Sequence, residues 1–159
     1  MSHTETKHSR QANAVSPIDM IKEELFQTFD TQKGTTDHIK FGYIFGSVLS
    51  PKRFEKNSDI DIAFFIDPVY YKKDPLLATS LPYLAATQTG IRLNRQTDVI
   101  ILNTASLETA YQVVTTGLCF FEQDSDNRIE YEVSIKGMYY DFKPFLNKIR
   151  SKNKKVKGS

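Results

Sequence analysis

Apolar residues recur along this chain in two periods, and the period changes several times. Ile18, Ile21, Leu25 and Phe29 follow helical spacing, with Lys22, Glu23 and Glu24 facing outward. Ser16 stands as the N-cap, Pro17 at the first helical position and Asp19 in the first turn, and the Gly34 region ends the helix. The period then shortens. In HIKFGYIFGS, Ile39, Phe41, Tyr43 and Phe45 alternate, which predicts a strand with those four on one face and Ile44 on the other. Gly46-Ser47 closes it. DIDIAFFI predicts a second strand over Asp59–Ile66, ended by Asp67-Pro68. Asp74-Pro75 opens another helix, with Leu77, Leu81, Leu84 and Ala85 on its face, a kink at Pro82 and an end at Gly90. A third strand is expected over Thr97–Asn103. Ser106 caps the next helix, which carries Leu107, Ala110, Tyr111 and Val114 and ends at Gly117. LCFF predicts a short edge strand. Ser125 caps a last helix with Ile129 and Val133, which Gly137 and Pro144 are expected to bend or break near Asp141.

Helices alternating with strands predict an α/β domain: a sheet of three or four strands covered by helices, with a helical C-terminal segment. The expected boundaries are a polar disordered tail over residues 1–15, the domain over 16–150 and a basic flexible tail over 151–159. At 159 residues, 40% hydrophobic and 25% charged, the composition is that of one ordinary globular domain. Cys119 is the sole cysteine, so no disulfide forms within the chain, which fits a reducing cytoplasm. No apolar run approaches the roughly 20 residues of a membrane helix. The net charge of +2 says little about partners. The basic end, KIRSKNKKVKGS, lacks the interleaved aromatics that stack on bases, so direct nucleic-acid binding is not expected.

The chemistry gathers in IFGSVLSPKRFEKNSDIDIAFFI. Asp59 and Asp61 are two apart on a predicted strand and therefore face the same side, roughly 6.5–7 Å apart along the chain. Paired carboxylates repel unless a positive charge sits between them. Two Mg²⁺ ions about 3.5–4 Å apart suit such oxygens, with substrate phosphates completing the shell. Asp98 is the only acid of the third strand, and in a neighbouring strand it would lie at the same rim, about 5 Å away. It would serve as a metal ligand or accept a proton from an attacking hydroxyl. Gly46 allows close approach of a phosphate to the backbone, the residues after it are expected to open a short helix, and Ser47 adds a hydroxyl. Ser58 adjoins the first acid, and Lys52 and Arg53 lie in the connecting loop, where basic side chains more often simply face water. A Gly-Ser pair alone is a turn, and Asp-x-Asp alone can be a solvated strand end; the combination with a later Asp points to phosphate chemistry. His3, His8 and His38 have no zinc-ligand spacing.

These residues resemble the DNA polymerase β-like nucleotidyltransferase superfamily, and most closely its minimal nucleotidyltransferase branch: Gly46-Ser47, then Asp59-x-Asp61, then Asp98 on a later strand. Eleven residues separate Ser47 from Asp59, one more than is usual in the family, and VLSPKRF replaces its common Ala-Arg-Gly turn. TDVIILNTASLETAYQVVTTGLCFFEQD and RIEYEVSIKGMYYDFKPFLNKI extend the similarity, over roughly Ile39 to Ile149. The resemblance implies a mixed sheet with the acids at one rim and transfer of AMP from ATP with release of pyrophosphate. It implies Asp59 and Asp61 on two Mg²⁺ ions, Asp98 on one of them, and Gly46, Ser47, Ser58, Lys52 and Arg53 on the nucleotide. Stand-alone domains of this kind resemble MntA-type antitoxins, which adenylylate a tyrosine of a HEPN-domain ribonuclease toxin. Such a toxin is thus the expected partner. The alternatives are a nucleotidyltransferase acting on a small molecule such as an aminoglycoside, or an antitoxin that acts by binding alone.

Overall fold

The computed structural model describes residues 14–157 apart from 33 and 35; most of the expected N-terminal tail lies outside them. Among the described residues, five α-helices and four strands follow in order: α1 (Pro17–Thr31), β1 (Ile39–Phe45), β2 (Ile60–Ile66), α2 (Pro68–Lys73), α3 (Pro75–Leu93), β3 (Thr97–Ile101), α4 (Leu107–Thr116), β4 (Leu118–Glu122) and α5 (Ser125–Lys157). The sheet order is β3-β2-β1-β4. β1 runs antiparallel to β2 and β4, and β2 runs parallel to β3, so the sheet is mixed, as expected.

Helices cover both faces. On one, Ile21, Leu25 and Phe29 of α1 and Ala78, Leu81, Ala85 and Ala86 of α3 cluster with Ile44, Ile60, Ile62, Phe64 and Ile66. On the other, Ala110, Val113 and Val114 of α4 and Ile135 of α5 cluster with Phe41, Tyr43, Phe45 and Ala63. A strand buried on both faces reads as a nearly unbroken apolar run, which accounts for FGYIF and IAFFI. Ile39 departs from the expected alternation. A register irregularity between Ile39 and Phe41 places it in the cluster of Ile44.

Several boundaries also differ from expectation. β2 starts at Ile60, so Asp59 stands just before the strand. Asp67 caps the additional short helix α2 by accepting the N–H groups of Val69 and Tyr70. β3 stops at Ile101, and the Asn103 carboxamide takes over the pairing by accepting from Ile66 N at 2.9 Å and donating to Ile66 O at 2.8 Å. α3 runs through Pro82 and past Gly90 to Leu93, where Asn94 ends it in the left-handed conformation. Its buried face is Ala78, Leu81, Pro82, Ala85, Ala86 and Thr89, whereas Leu77 and Leu84 are exposed. Small residues on that face bring the helix close to the sheet. α5 begins at Ser125, after Asp124 accepts the Asp126 N–H, and it is continuous through Gly137, Pro144 and the expected break at Asp141 to Lys157. Residues 151–157, expected as a separate tail, thus continue this helix. No helix among the described residues is long and apolar enough to cross a membrane.

Candidate active site

Asp61 and Asp98 are register partners across the parallel β2–β3 pair, and side chains of directly paired residues share a sheet face. The face is that of Ala63 and Phe65, two and four residues after Asp61, on the side covered by α4 and α5. Asp59 precedes β2 and is partly buried. Burial, then the Asp98 carboxylate, then the Asp59 carboxylate raise the Asp61 carboxyl above its ordinary range. Asp61 therefore senses both of the other acids named from the sequence at one end of the sheet. Among the described residues, no group of three His, Cys, Asp or Glu side chains has a geometry that could hold a metal ion by itself. The chemistry of the donor set still suits a divalent cation. Asp59 and Asp98 disfavour the charge of Asp61, and a cation shared with phosphate oxygens would relieve that repulsion.

Gly46 is built into this arrangement. β1 ends at Phe45, which pairs with Asp61, and the chain turns into a single 3-10 turn over Gly46–Leu49. Gly46 has φ +80°, and a Cβ placed on it would lie 2.2 Å from Asp61 Oδ2. Two independent constraints thus require glycine: the left-handed backbone and the Asp61 carboxylate packed against it. Ser47 follows in the 3-10 turn, half-buried, as the expected short helix requires. Lys52 and Arg53 are exposed on the turn that follows. The Ser58 hydroxyl is engaged within its own loop: it accepts from Glu55 N at 2.9 Å and lies 3.4 Å from Arg53 O as donor.

Arg95 supports the candidate site, and no motif in the sequence pointed to it. Its Nη1 donates to Glu55 O at 2.7 Å and to Ser58 O at 3.0 Å, and its guanidinium carbon sits 4.0 Å from the centroid of the Phe54 ring. Ile60 N then donates to Gln96 O at 2.9 Å. The segment that delivers Asp59 is therefore held by the segment that delivers Asp98. No short motif signals this, because Arg95 recognises backbone carbonyls some 40 residues earlier. A cavity of about 310 Å³ opens beside this clamp, lined by Lys56, Asn57, Ser58, Asp59, Asn94, Arg95 and Gln96.

Solved structures share the fold. A chain of a toxin–antitoxin complex with AMP-PNP superposes with a TM-score of 0.60 at 21% identity, over 82% of this chain and 96% of that one. A chain of a tri-AMPylated Shewanella oneidensis HEPN toxin in complex with an MNT antitoxin gives 0.56 at 19% identity, over 84% and 95%. One from the toxin–antitoxin MntA-HepT gives 0.56 at 19%, over 84% and 96%. No curated protein matches the chain. The model of the polymerase beta nucleotidyltransferase family matches residues 23–126, a span that takes in β1, the Gly46 turn and all three carboxylates, and this chain belongs to that family.

Proposed function

We propose that this protein transfers AMP from ATP to a hydroxyl of a protein acceptor, a tyrosine of a cognate HEPN ribonuclease toxin, and so acts as an antitoxin. The observation that carries the reading is the pairing of Asp61 with Asp98 beside Gly46, with Asp59 held next to them by the Arg95 clamp. Family membership supplies the reaction class. The structural neighbours with AMP-PNP and with an AMPylated HEPN toxin support the nucleotide and the acceptor.

In this reading Asp59, Asp61 and Asp98 would hold Mg²⁺, which supplies charge neutralisation at the triphosphate. Gly46 lets a phosphate oxygen approach the main chain, and the Ser47 hydroxyl donates to it. Asp98, the most exposed of the three acids, takes the proton of the incoming hydroxyl as that oxygen bonds to the α-phosphorus and the bond to pyrophosphate breaks. Lys52 and Arg53 lie on an exposed turn, from which they would reach only the outer phosphates. Little covalent chemistry falls to the protein in such a transfer; alignment and electrostatics provide most of the rate.

The test is to mix the purified protein with the product of the neighbouring open reading frame, ATP and Mg²⁺, and weigh the products. One or more AMP masses on a tyrosine of the partner are expected. Absence of that mass, with drug-dependent pyrophosphate release from an aminoglycoside screen, would replace the protein acceptor by a small molecule. Full neutralisation of the toxin by a folded Asp59→Asn/Asp61→Asn variant would leave binding alone as the mechanism.

A further inference from the structure

The heptad-like seam of α5 continues past the residues it buries against the core. Tyr131 and Ile135 lie on the α4–α5 side of the core, Ile135 only 7% exposed. Three and four residues at a time, the same stripe then passes through Met138, Phe142, Phe145 and Ile149. These four are 42%, 51%, 58% and 43% exposed. Spacing of this kind places them on one side of a helix, as in a coiled-coil seam. Two phenylalanines, a methionine and an isoleucine in one contiguous line form an apolar surface that a solvated helix has no reason to carry.

Charge restricts what covers it. Continuing the spacing puts Lys152 on the seam itself, and Lys148 and Lys155 occupy flanking positions; all three are exposed. Lys154 adds to the positive field, whereas Arg150 is paired with Glu108 of α4, and Asp141 is the only acid after Tyr140. A second copy of α5 laid parallel along this seam would set Lys152 against Lys152. We propose that the outer half of α5, from Met138 to Lys155, docks an acidic amphipathic helix of a partner protein, with its apolar stripe on Phe142, Phe145 and Ile149 and its carboxylates facing Lys148, Lys152 and Lys155. The surface lies on a different element from Asp59, Asp61 and Asp98, so the inference stands whether or not AMP transfer is the reaction.

The probe is a fluorescein-labelled peptide of about four heptads, with Leu at the two seam positions and Glu on both flanks. Fluorescence anisotropy with the full chain is expected to show saturable binding that weakens as salt rises. Phe142→Ser/Phe145→Ser should weaken it on the order of tenfold or more without moving the melting temperature, because both side chains are exposed. Lys148→Glu/Lys152→Glu/Lys155→Glu should abolish binding of this peptide and permit binding of its Lys-flanked counterpart. Three results would overturn the proposal: no binding, or equal binding by the parent and both variants; a dimer by light scattering that the phenylalanine variant dissociates; or tight binding of single-stranded RNA that displaces the peptide and ignores the phenylalanine change.

Discussion

Gly46 and Asp61 act as one unit. Any side chain at Gly46 meets both an unfavourable φ of +80° and the Asp61 carboxylate. Gly46→Ala should cost about 1–2 kcal/mol from the backbone alone and displace Asp61 as well. A melting temperature lowered by several degrees and a loss of transferase activity of at least about tenfold are expected. Asp61 itself titrates above the usual carboxylate range because burial and the two neighbouring acids disfavour its charge. The folded state therefore holds this proton to higher pH than the unfolded chain, whose Asp titrates near 3.9. Stability then falls as pH rises from that value through the folded one, and the penalty persists at neutral pH. Asp61→Asn should melt above the parent at pH 7 in magnesium-free buffer, with the advantage fading in acid. An identical difference at both pH values would contradict this. Arg95→Ala removes two bonds to carbonyls that position Asp59, and activity should drop on the order of 10–100-fold with a smaller loss of stability. Arg95→Lys should recover little, since an ammonium cannot reproduce the stacking of the planar guanidinium on Phe54.

Among the elements, α3 shows how packing overrides a local rule. Replacing a mid-helix glycine by alanine ordinarily stabilises a helix by up to about 1 kcal/mol. Gly90 lies within α3, yet a Cβ there would come within 2.6 Å of Arg95 O and 3.1 Å of Thr97 Cγ2. Gly90→Ala should therefore destabilise the protein, and thermal melting gives the sign directly. The same glycine stands where the sequence suggests a helix end, because glycine at a C-cap and glycine packed against the chain that turns back after the helix look identical in one dimension. α5 presents the opposite case. Gly137 and Pro144 are local breakers, yet the helix continues through both. Pro144 carries no N–H and costs one bond to Tyr140, on a helix half exposed to water that solvates the freed carbonyl.

For the whole molecule, the three acids lie on segments from both sides of α3, and their closeness exists only in the folded chain. Anything that binds them binds the native state selectively. ATP with Mg²⁺ should therefore raise the melting temperature more than either does alone, by about 2.7 kcal/mol of stability at a hundredfold excess over Kd. The double variant Asp59→Asn/Asp61→Asn should keep its fold and lose that shift. Equal shifts in parent and variant would place the nucleotide elsewhere.

Much of this candidate site was legible as text. Asp59, Asp61, Gly46 and Ser47 sit within one short segment, and polar residues at the start of a run as apolar as IAFFI declare a strand that opens at the rim of the sheet. Asp98 was legible because β3, like β2, carries its acid at the start of an apolar stretch. The helices of strong 3.6 periodicity and the edge strand β4 were readable for the same reason, that side-chain spacing follows the period of the backbone. Only the tertiary structure decided which strands are neighbours, and with it the match of Asp61 to Asp98. It alone decided that Gly90 packs against the turn that leaves α3 rather than ending the helix, that Asn103 extends the sheet by its side chain, and that Arg95 fixes the approach to Asp59. The last two rest on contacts between segments distant in the chain, and all three involve backbone atoms that every residue possesses, so such contacts leave no pattern in the order of the amino acids.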